Sequence, residues 1–166
     1  MNARPRPAAD LPLAALRAGI EQFNRGEYFE CHETLEALWL AEPTSLRRLY
    51  QGILQVGVAL HHLRAGNYRG ASGLLARGIG YLEPFAPRCL GVDVAGILAA
   101  ARGCQAAVTA LGPERLDAFD WRLAPHIDFT GDESSGKDEP PAAPPPPPAP
   151  GASGGSPPAR RAGGVE

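Results

Sequence analysis

The chain has 166 residues and a mass of 17.4 kDa; 44% of the residues are hydrophobic and 20% are charged, enough for one domain with a buried core. The formal net charge is −2 and the pI about 6.1, so the chain lacks the basic excess that favours nucleic acid or an anionic membrane surface. We therefore expect neither nucleic acid nor a membrane among its partners.

Helix signals follow one another through most of the chain. Asp10 is a suitable N-cap with Pro12 in the first turn behind it, and Asn67 and Asp93 are suitable caps for later helices. No segment shows the sustained two-residue alternation of a half-buried strand. The sequence therefore predicts an all-α fold, with helices over residues 10–24, about 27–40, 44 or 45 to about 66, 67–84 and 93–112.

The sequence also repeats itself at a distance of 40 residues. Each copy predicts a helical hairpin with a Gly-x-Tyr turn, and two copies are fewer than the roughly three that a stacked array needs. We therefore expect a compact multihelical bundle of about five main helices, built from two helical hairpins and a closing helix. The matched pairs are Gly26 and Gly66, Tyr28 and Tyr68, Cys31 and Ala71, Leu35 and Leu75, and, at a distance of 41, Pro43 and Pro84.

The two ends of the chain differ in composition from this helical domain, which we place at residues 10–130 with a C-terminal extension over 113–130. Residues 131–166 hold 10 of the 18 prolines and no Leu, Ile, Phe, Tyr or Trp, so they cannot bury enough apolar surface to offset the entropy of ordering. We predict a disordered Pro-rich tail, either a spacer or a ligand for a proline-reading domain, in which Pro144–Pro148 favours polyproline II. Residues 1–9 are predicted to be a flexible N-terminus.

Cysteine usage and hydropathy predict a cytoplasmic protein. Cys31, Cys89 and Cys104 lie far apart without a CxxC pair, which fits neither a disulfide framework nor a thiolate zinc site. The first ten residues lack the apolar core of a signal peptide. The longest uncharged stretch of the helical part, Leu49–Leu63, is too short to span a membrane.

The predicted second helix carries the most informative segment, from Tyr28 to Trp39. At about 100° per residue, His32, Glu36 and Trp39 fall within about 60° of one another, with Tyr28 and Phe29 beside them. An imidazole and a carboxylate then lie one turn apart inside an aromatic stripe. An unpaired buried carboxylate costs several kcal/mol. We therefore expect His32 and Glu36 to be buried and to be paired with each other, protonated or bound to a ligand.

The predicted third helix carries a second polar stripe. Gln51, Gln55 and His62 align within about 40° of one another, roughly opposite its main apolar face, and His61 lies near the boundary. Since buried amides need hydrogen-bond partners, we predict that this stripe faces the His–Glu pair of the second helix.

The second copy of the repeat lacks the polar pair. Ser72 stands where the first copy has His32, and Ala76 stands where it has Glu36. The hairpin can therefore be built without these ionisable groups, which favours a functional role for them.

The sequence His32-x-x-x-Glu36-x-x-Trp39, together with its flanks, resembles the domain-of-unknown-function 309 family of small helical bacterial and archaeal proteins with an HxxxExxW signature. The resemblance covers roughly residues 11–90. It implies an all-helical fold and a signature at His32, Glu36 and Trp39, without an established activity. The flanks that share it are Asn24-Arg25-Gly26-Glu27-Tyr28-Phe29-Glu30, Tyr50-Gln51-Gly52-Ile53-Leu54-Gln55 and Leu60-His61-His62.

One interpretation of these residues is a metal site. His32 and Glu36 would each supply one ligand to a divalent metal, and His62 or His61 would supply a third. Glu33 would then act as the general base on a bound water, as in a metal-dependent hydrolase. The spacing is not the His-Glu-x-x-His of helical zinc hydrolases, so this enzyme remains the alternative hypothesis.

Two non-catalytic interpretations stand beside it, and we prefer binding to turnover. In one, Trp39 and Tyr28 stack on a small polar or aromatic ligand that Gln51 and Gln55 orient. In the other, the His–Glu pair fixes two helices while an outer groove binds a protein partner, which includes a second copy of the chain. The candidate residues for this ligand-binding or structural cluster are Tyr28, Phe29, His32, Glu33, Glu36, Trp39, Gln51, Gln55, His61 and His62.

Overall fold

The computed structural model describes residues 10–130, and the predictions for residues 1–9 and 131–166 lie outside these described residues. The described part confirms the all-α fold with its five main helices. These are α1 (Asp10–Asn24), α2 (Tyr28–Ala41), α3 (Arg47–Arg64), α4 (Tyr68–Leu82) and α5 (Val94–Leu111). Three 3-10 helices (Glu83–Phe85, Leu116–Ala118, Trp121–Leu123) and two strands, β1 (Arg88–Cys89) and β2 (Val92–Asp93), complete it.

Local sequence signals determine where the helices begin and end. The Asn67 side chain accepts a hydrogen bond from the Gly70 amide at 2.9 Å, and the Asp93 side chain accepts one from the Gly96 amide at 3.1 Å. Each predicted cap therefore satisfies an amide that the first helical turn leaves without a partner. Gly26 and Gly66 (φ +75° and +73°) both take the left-handed conformation that ends α1 and α3, so the two turns of the repeat are alike.

Helix α3 begins later than the predicted residue 44 or 45. The Glu42 carboxylate accepts hydrogen bonds from the Thr44 amide at 2.9 Å and from the Thr44 hydroxyl at 2.6 Å. The Thr44 hydroxyl oxygen in turn accepts from the Leu46 amide at 3.3 Å. These bonds stabilise a separate turn, so the helix starts only at Arg47.

Helix α3 is the centre of the bundle and packs between α2 and α4, while α1 packs on α2 and α5 packs on α4. The backbones of α3 and α4 approach closely where Gly52 faces Gly78. A Cβ added at Gly78 would lie 2.8 Å from a Val56 methyl group and 3.1 Å from the Gly52 carbonyl oxygen. The largest fully buried side chains of the core are Phe23, Leu16, Ile20, Leu35, Leu49, Ile53, Leu60, Leu75, Leu82, Ile97, Ile127 and Val56.

By length and composition alone, α5 is the one described helix that is apolar enough to cross a membrane. It nevertheless buries one side of its surface against the other helices, with Ile97, Leu98, Ala101, Cys104 and Val108 all buried. In this structure α5 is therefore a core helix of the bundle.

The chain after α5 folds back over α1. The Asn24 side-chain amide donates to the Ile127 carbonyl oxygen at 2.9 Å and accepts from the Ile127 amide at 2.8 Å, so it pairs with the backbone as a neighbouring strand would. Phe119 and Ile127 of this segment are buried. The two-residue strands β1 and β2, which the sequence did not predict, pair antiparallel nearby, and Val92 bridges to Phe129.

Substitution of two glycines of α4 by alanine should have opposite effects. Alanine is the better helix former by about 1 kcal/mol, and at Gly80 a Cβ meets nothing within 4 Å. Gly80→Ala should therefore raise the free energy of unfolding, by up to about 1 kcal/mol. Gly78→Ala should lower it, because overpacking of this kind costs about 1–3 kcal/mol. Urea denaturation measures both, and a stabilising Gly78→Ala would contradict the close approach of α3 and α4.

Replacement of Asn24 tests the docking of the C-terminal extension. Asn24→Ala leaves the half-buried amide and carbonyl of Ile127 without their partners, so we expect a loss of about 1–3 kcal/mol in the free energy of unfolding. Hydrogen exchange should show the Ile127 amide losing protection while core amides of α3 keep theirs. Unchanged protection at Ile127 would show that other contacts hold the segment.

Candidate functional site

The signature residues lie along the edge of α2 that faces α3. Tyr28 and Leu35 are buried, whereas His32, Glu36 and Trp39 are half-buried. Two observations indicate the side of the helix: His32 lines a depression together with residues of α3, and the Arg47 guanidinium of α3 lies 5.2 Å from the centre of the Trp39 ring. The segment therefore lies at the boundary between the core and the solvent-exposed surface.

The prediction of a buried His32–Glu36 pair is wrong. Nδ1 of His32 lies 3.9 Å from Oε2 of Glu36, which is an ion-pair distance when the imidazole is protonated, but their side chains are 35% and 46% exposed. In the described part of the chain, no polar or charged residue is fully buried. The reason is the rotation of α2: its buried stripe runs through Cys31 and Leu35, about 60–100° from His32. An ion pair this exposed contributes at most about 1 kcal/mol to stability.

The two polar stripes do not form the predicted hydrogen bonds. Within residues 10–130, neither Gln51 nor Gln55 hydrogen bonds to the His–Glu pair, and Oε1 of Gln55 is buried without a partner. His62 is turned toward α4, where its Nδ1 lies 3.1 Å from Nδ2 of Asn67. The stripe of α3 thus faces outward between its two neighbours, because those neighbours cover its other sides.

Helices α2 and α3 instead form a shallow depression of about 170 Å³. Tyr28, Phe29 and His32 line it from α2, and Val58 and His61 line it from α3. Phe29 is 63% exposed. We call this feature the α2–α3 depression; it brings four of the predicted site residues together.

Sequence reasoning missed Val58, Arg47 and Arg64. Val58 is an aliphatic residue within the polar stripe of α3, and this interruption was the available signal for it. The Arg64 guanidinium lies 4.9 Å from the centre of the Tyr28 ring and donates to the Gly26 carbonyl oxygen at 3.2 Å. No local pattern indicates such contacts, because the partners are far apart in sequence.

The buried phenol of Tyr28 and the buried thiol of Cys31 stay protonated near neutral pH. Burial raises the pKa of the Tyr28 phenol, although the nearby Arg64 charge acts in the opposite direction. Burial also raises the pKa of the Cys31 thiol to about 12. Neither group therefore supplies an anionic nucleophile near neutral pH.

The proposed metal ligands are not assembled. Within residues 10–130, no three His, Cys, Asp or Glu side chains lie where they could hold one metal ion. His32 and Glu36 are close together, but His62 bonds to Asn67 on the α4 side and Glu33 is exposed. The ligand set His32, Glu36 and His62 is therefore not supported by the geometry.

Comparison with known proteins relates the first three helices to a family. The family described as a domain of unknown function, DUF309, matches residues 16–74. The chain is 43% identical over 73 residues to the uncharacterized protein YpuF of Bacillus subtilis (strain 168), covering 43% of this chain and 42% of that protein. It is 26% identical over 58 residues to an uncharacterized protein of Aquifex aeolicus (strain VF5), covering 34% of this chain and 17% of that protein.

The matched part of the chain thus spans less than half the length of either relative. The matched region runs from within α1 into α4 and contains His32, Glu36 and Trp39, of which His32 lines the α2–α3 depression. Residues 16–74 of this chain are thus similar to the DUF309 family, which is what the match of its family model shows.

Proposed function

We propose that the protein is a non-catalytic protein-interaction module that docks a partner segment on the α2–α3 depression. The observation that carries this proposal is an exposed aromatic ring, Phe29, beside an open hollow with apolar walls. Covering such a ring removes apolar surface from water, which is worth about 1.5–3 kcal/mol for a fully buried phenylalanine. A partner that covers Phe29 and fills the hollow therefore gains binding energy.

The size of the depression favours a protein partner over a small ligand. Small-molecule sites usually enclose about 300–1,000 Å³ and bury most of the ligand, whereas this hollow has about 170 Å³ and is open. One side chain of a partner fills a space of that size, as anchor residues do at protein interfaces.

Charges on either side of the hollow indicate the chemistry of the partner. The Arg64 guanidinium lies over the Tyr28 ring at one end. At the other end, Glu33 and Glu36 follow Phe29 along α2, at about 40° and 20° from it around the helix. The complementary segment carries an apolar or aromatic anchor with a carboxylate on the Arg64 side and a basic group on the Glu33 side.

We also propose a cytoplasmic location for this module. Cys31 and Cys104 are buried free thiols in the bundle. Thiols that remain reduced are typical of a reducing compartment.

Panning a phage-displayed random peptide library against the purified full chain tests the partner chemistry. We expect enrichment of peptides with one large apolar residue between an acidic and a basic residue. A synthetic peptide from that pool should bind Phe29→Ser at least about tenfold more weakly than wild type, since tenfold corresponds to about 1.4 kcal/mol, close to the lower value for a buried phenylalanine.

Leu40→Ser is the matched control for this experiment. Leu40 is 68% exposed on the same helix as Phe29 but does not line the depression. The variant should keep the affinity of wild type in an isothermal titration. An equal loss in both variants, or a library that yields no such peptides, would refute the proposal.

Stability measurements separate a binding role of the His–Glu pair from a structural one. We expect His32→Ala and Glu36→Ala to lower the free energy of unfolding by no more than about 1 kcal/mol each, because the pair is exposed. Leu35→Ala is a reference for a core position and should cost about 2–5 kcal/mol. Losses of about 3–5 kcal/mol at His32 or Glu36 would instead indicate a structural pair.

A further inference from the structure

A second surface lies on the far side of Arg64. The Arg64 guanidinium lies 5.5 Å from the Trp121 ring as well as 4.9 Å from the Tyr28 ring. Phe119 packs edge-on against Trp121, with ring centres 5.3 Å apart and an interplanar angle of 83°. Arg64 and Trp121 form what we call the Arg64–Trp121 surface.

This surface presents a fixed aromatic ring to solvent. Trp121 is 41% exposed, while Phe119 behind it is buried. Contacts with Phe119 and Arg64 restrain the indole, so little conformational entropy is lost when a ligand covers it. Polyproline helices dock where aromatic side chains line a surface groove, because the helix is itself preformed and packs its proline rings on the aromatic rings.

We propose that the Arg64–Trp121 surface binds a polyproline segment, and that its occupant is the run Pro144–Pro148 of this same chain. Residues 131–166 contain no Leu, Ile, Phe, Tyr or Trp. Proline rings are therefore the main apolar groups with which this part of the chain can dock. This inference does not rest on the proposed function of the α2–α3 depression.

The length of the connecting chain allows the contact. Thr130 is held on the folded part, where its amide donates to the Gly91 carbonyl oxygen at 2.9 Å. The 14 residues from there to Pro144 span at most about 46–50 Å when fully extended. A domain of about 120 residues has a radius of gyration of about 14 Å, so its surface lies within reach. Such a tether provides an effective concentration in the millimolar range.

Charge complementarity favours the same contact. The segment between Thr130 and the proline run contains Asp132, Glu133, Asp138 and Glu139 against the single base Lys137. Arg64 donates to a backbone carbonyl and lies over two aromatic rings, and it has no carboxylate partner among residues 10–130. The acidic segment would supply that partner while the prolines cover Trp121.

The two tryptophans of the chain provide the readout, because each gives one indole N–H signal in a proton–nitrogen NMR spectrum. The full chain is compared with a full-length variant in which Pro144 to Pro148 are all replaced by serine. We expect the Trp121 signal to shift in the variant and the Trp39 signal to stay in place, which also shows that the fold is intact. Coincident Trp121 signals would overturn the proposal.

A synthetic peptide of residues 138–150 completes the test. Added to the serine variant, it should move the Trp121 signal back toward its wild-type position, and the same peptide with serine for proline should not. It should bind wild type more weakly than the variant by a factor of at least about two, because the tethered run competes at millimolar effective concentration. A Trp121 shift that disappears on dilution of wild type would mean contact between molecules, and would overturn the assignment to the same chain.

Discussion

Helix α3 packs against a neighbour on each side, and this constraint determines where the polar residues of the chain can lie. Its small residues let α4 approach until the backbones nearly touch at Gly52 and Gly78. On the other side, Gly57 leaves room for Phe23 of α1 and Cys31 of α2. Only a narrow outward strip of α3 stays uncovered, and the residues there, Gln51, Gln55 and His62, are half-buried.

The predictions from sequence that succeeded are those that depend on local interactions. The helix limits other than the start of α3, the caps at Asn67 and Asp93 and the paired turns at Gly26 and Gly66 depend on interactions within a few residues. Local sequence patterns are sufficient to predict such interactions, and the all-α fold could therefore be predicted from the sequence. The two-residue strands were missed because they are too short to show an alternating pattern.

The candidate site was harder to predict, because helical periodicity relates residues within a helix but does not fix how the helix is rotated against its neighbours. His32 and Glu36 do lie one turn apart, as the spacing required. Their burial depended on which side of α2 faces the core, and α1 influences that through the contact of Gly19 with Leu35. Arg64 joins residues from three parts of the chain, which no single segment reveals.

The position of Arg64 between two rings has a thermodynamic consequence for the two surfaces that share it. One guanidinium lies 4.9 Å from the centre of the Tyr28 ring and 5.5 Å from the centre of the Trp121 ring. A carboxylate that draws the guanidinium toward the Trp121 indole therefore moves positive charge away from the Tyr28 phenol. A carboxylate that binds on the Tyr28 side moves that charge away from the indole. If both proposed surfaces bind their occupants through this shared cation, linkage requires each occupant to weaken the other by the same factor.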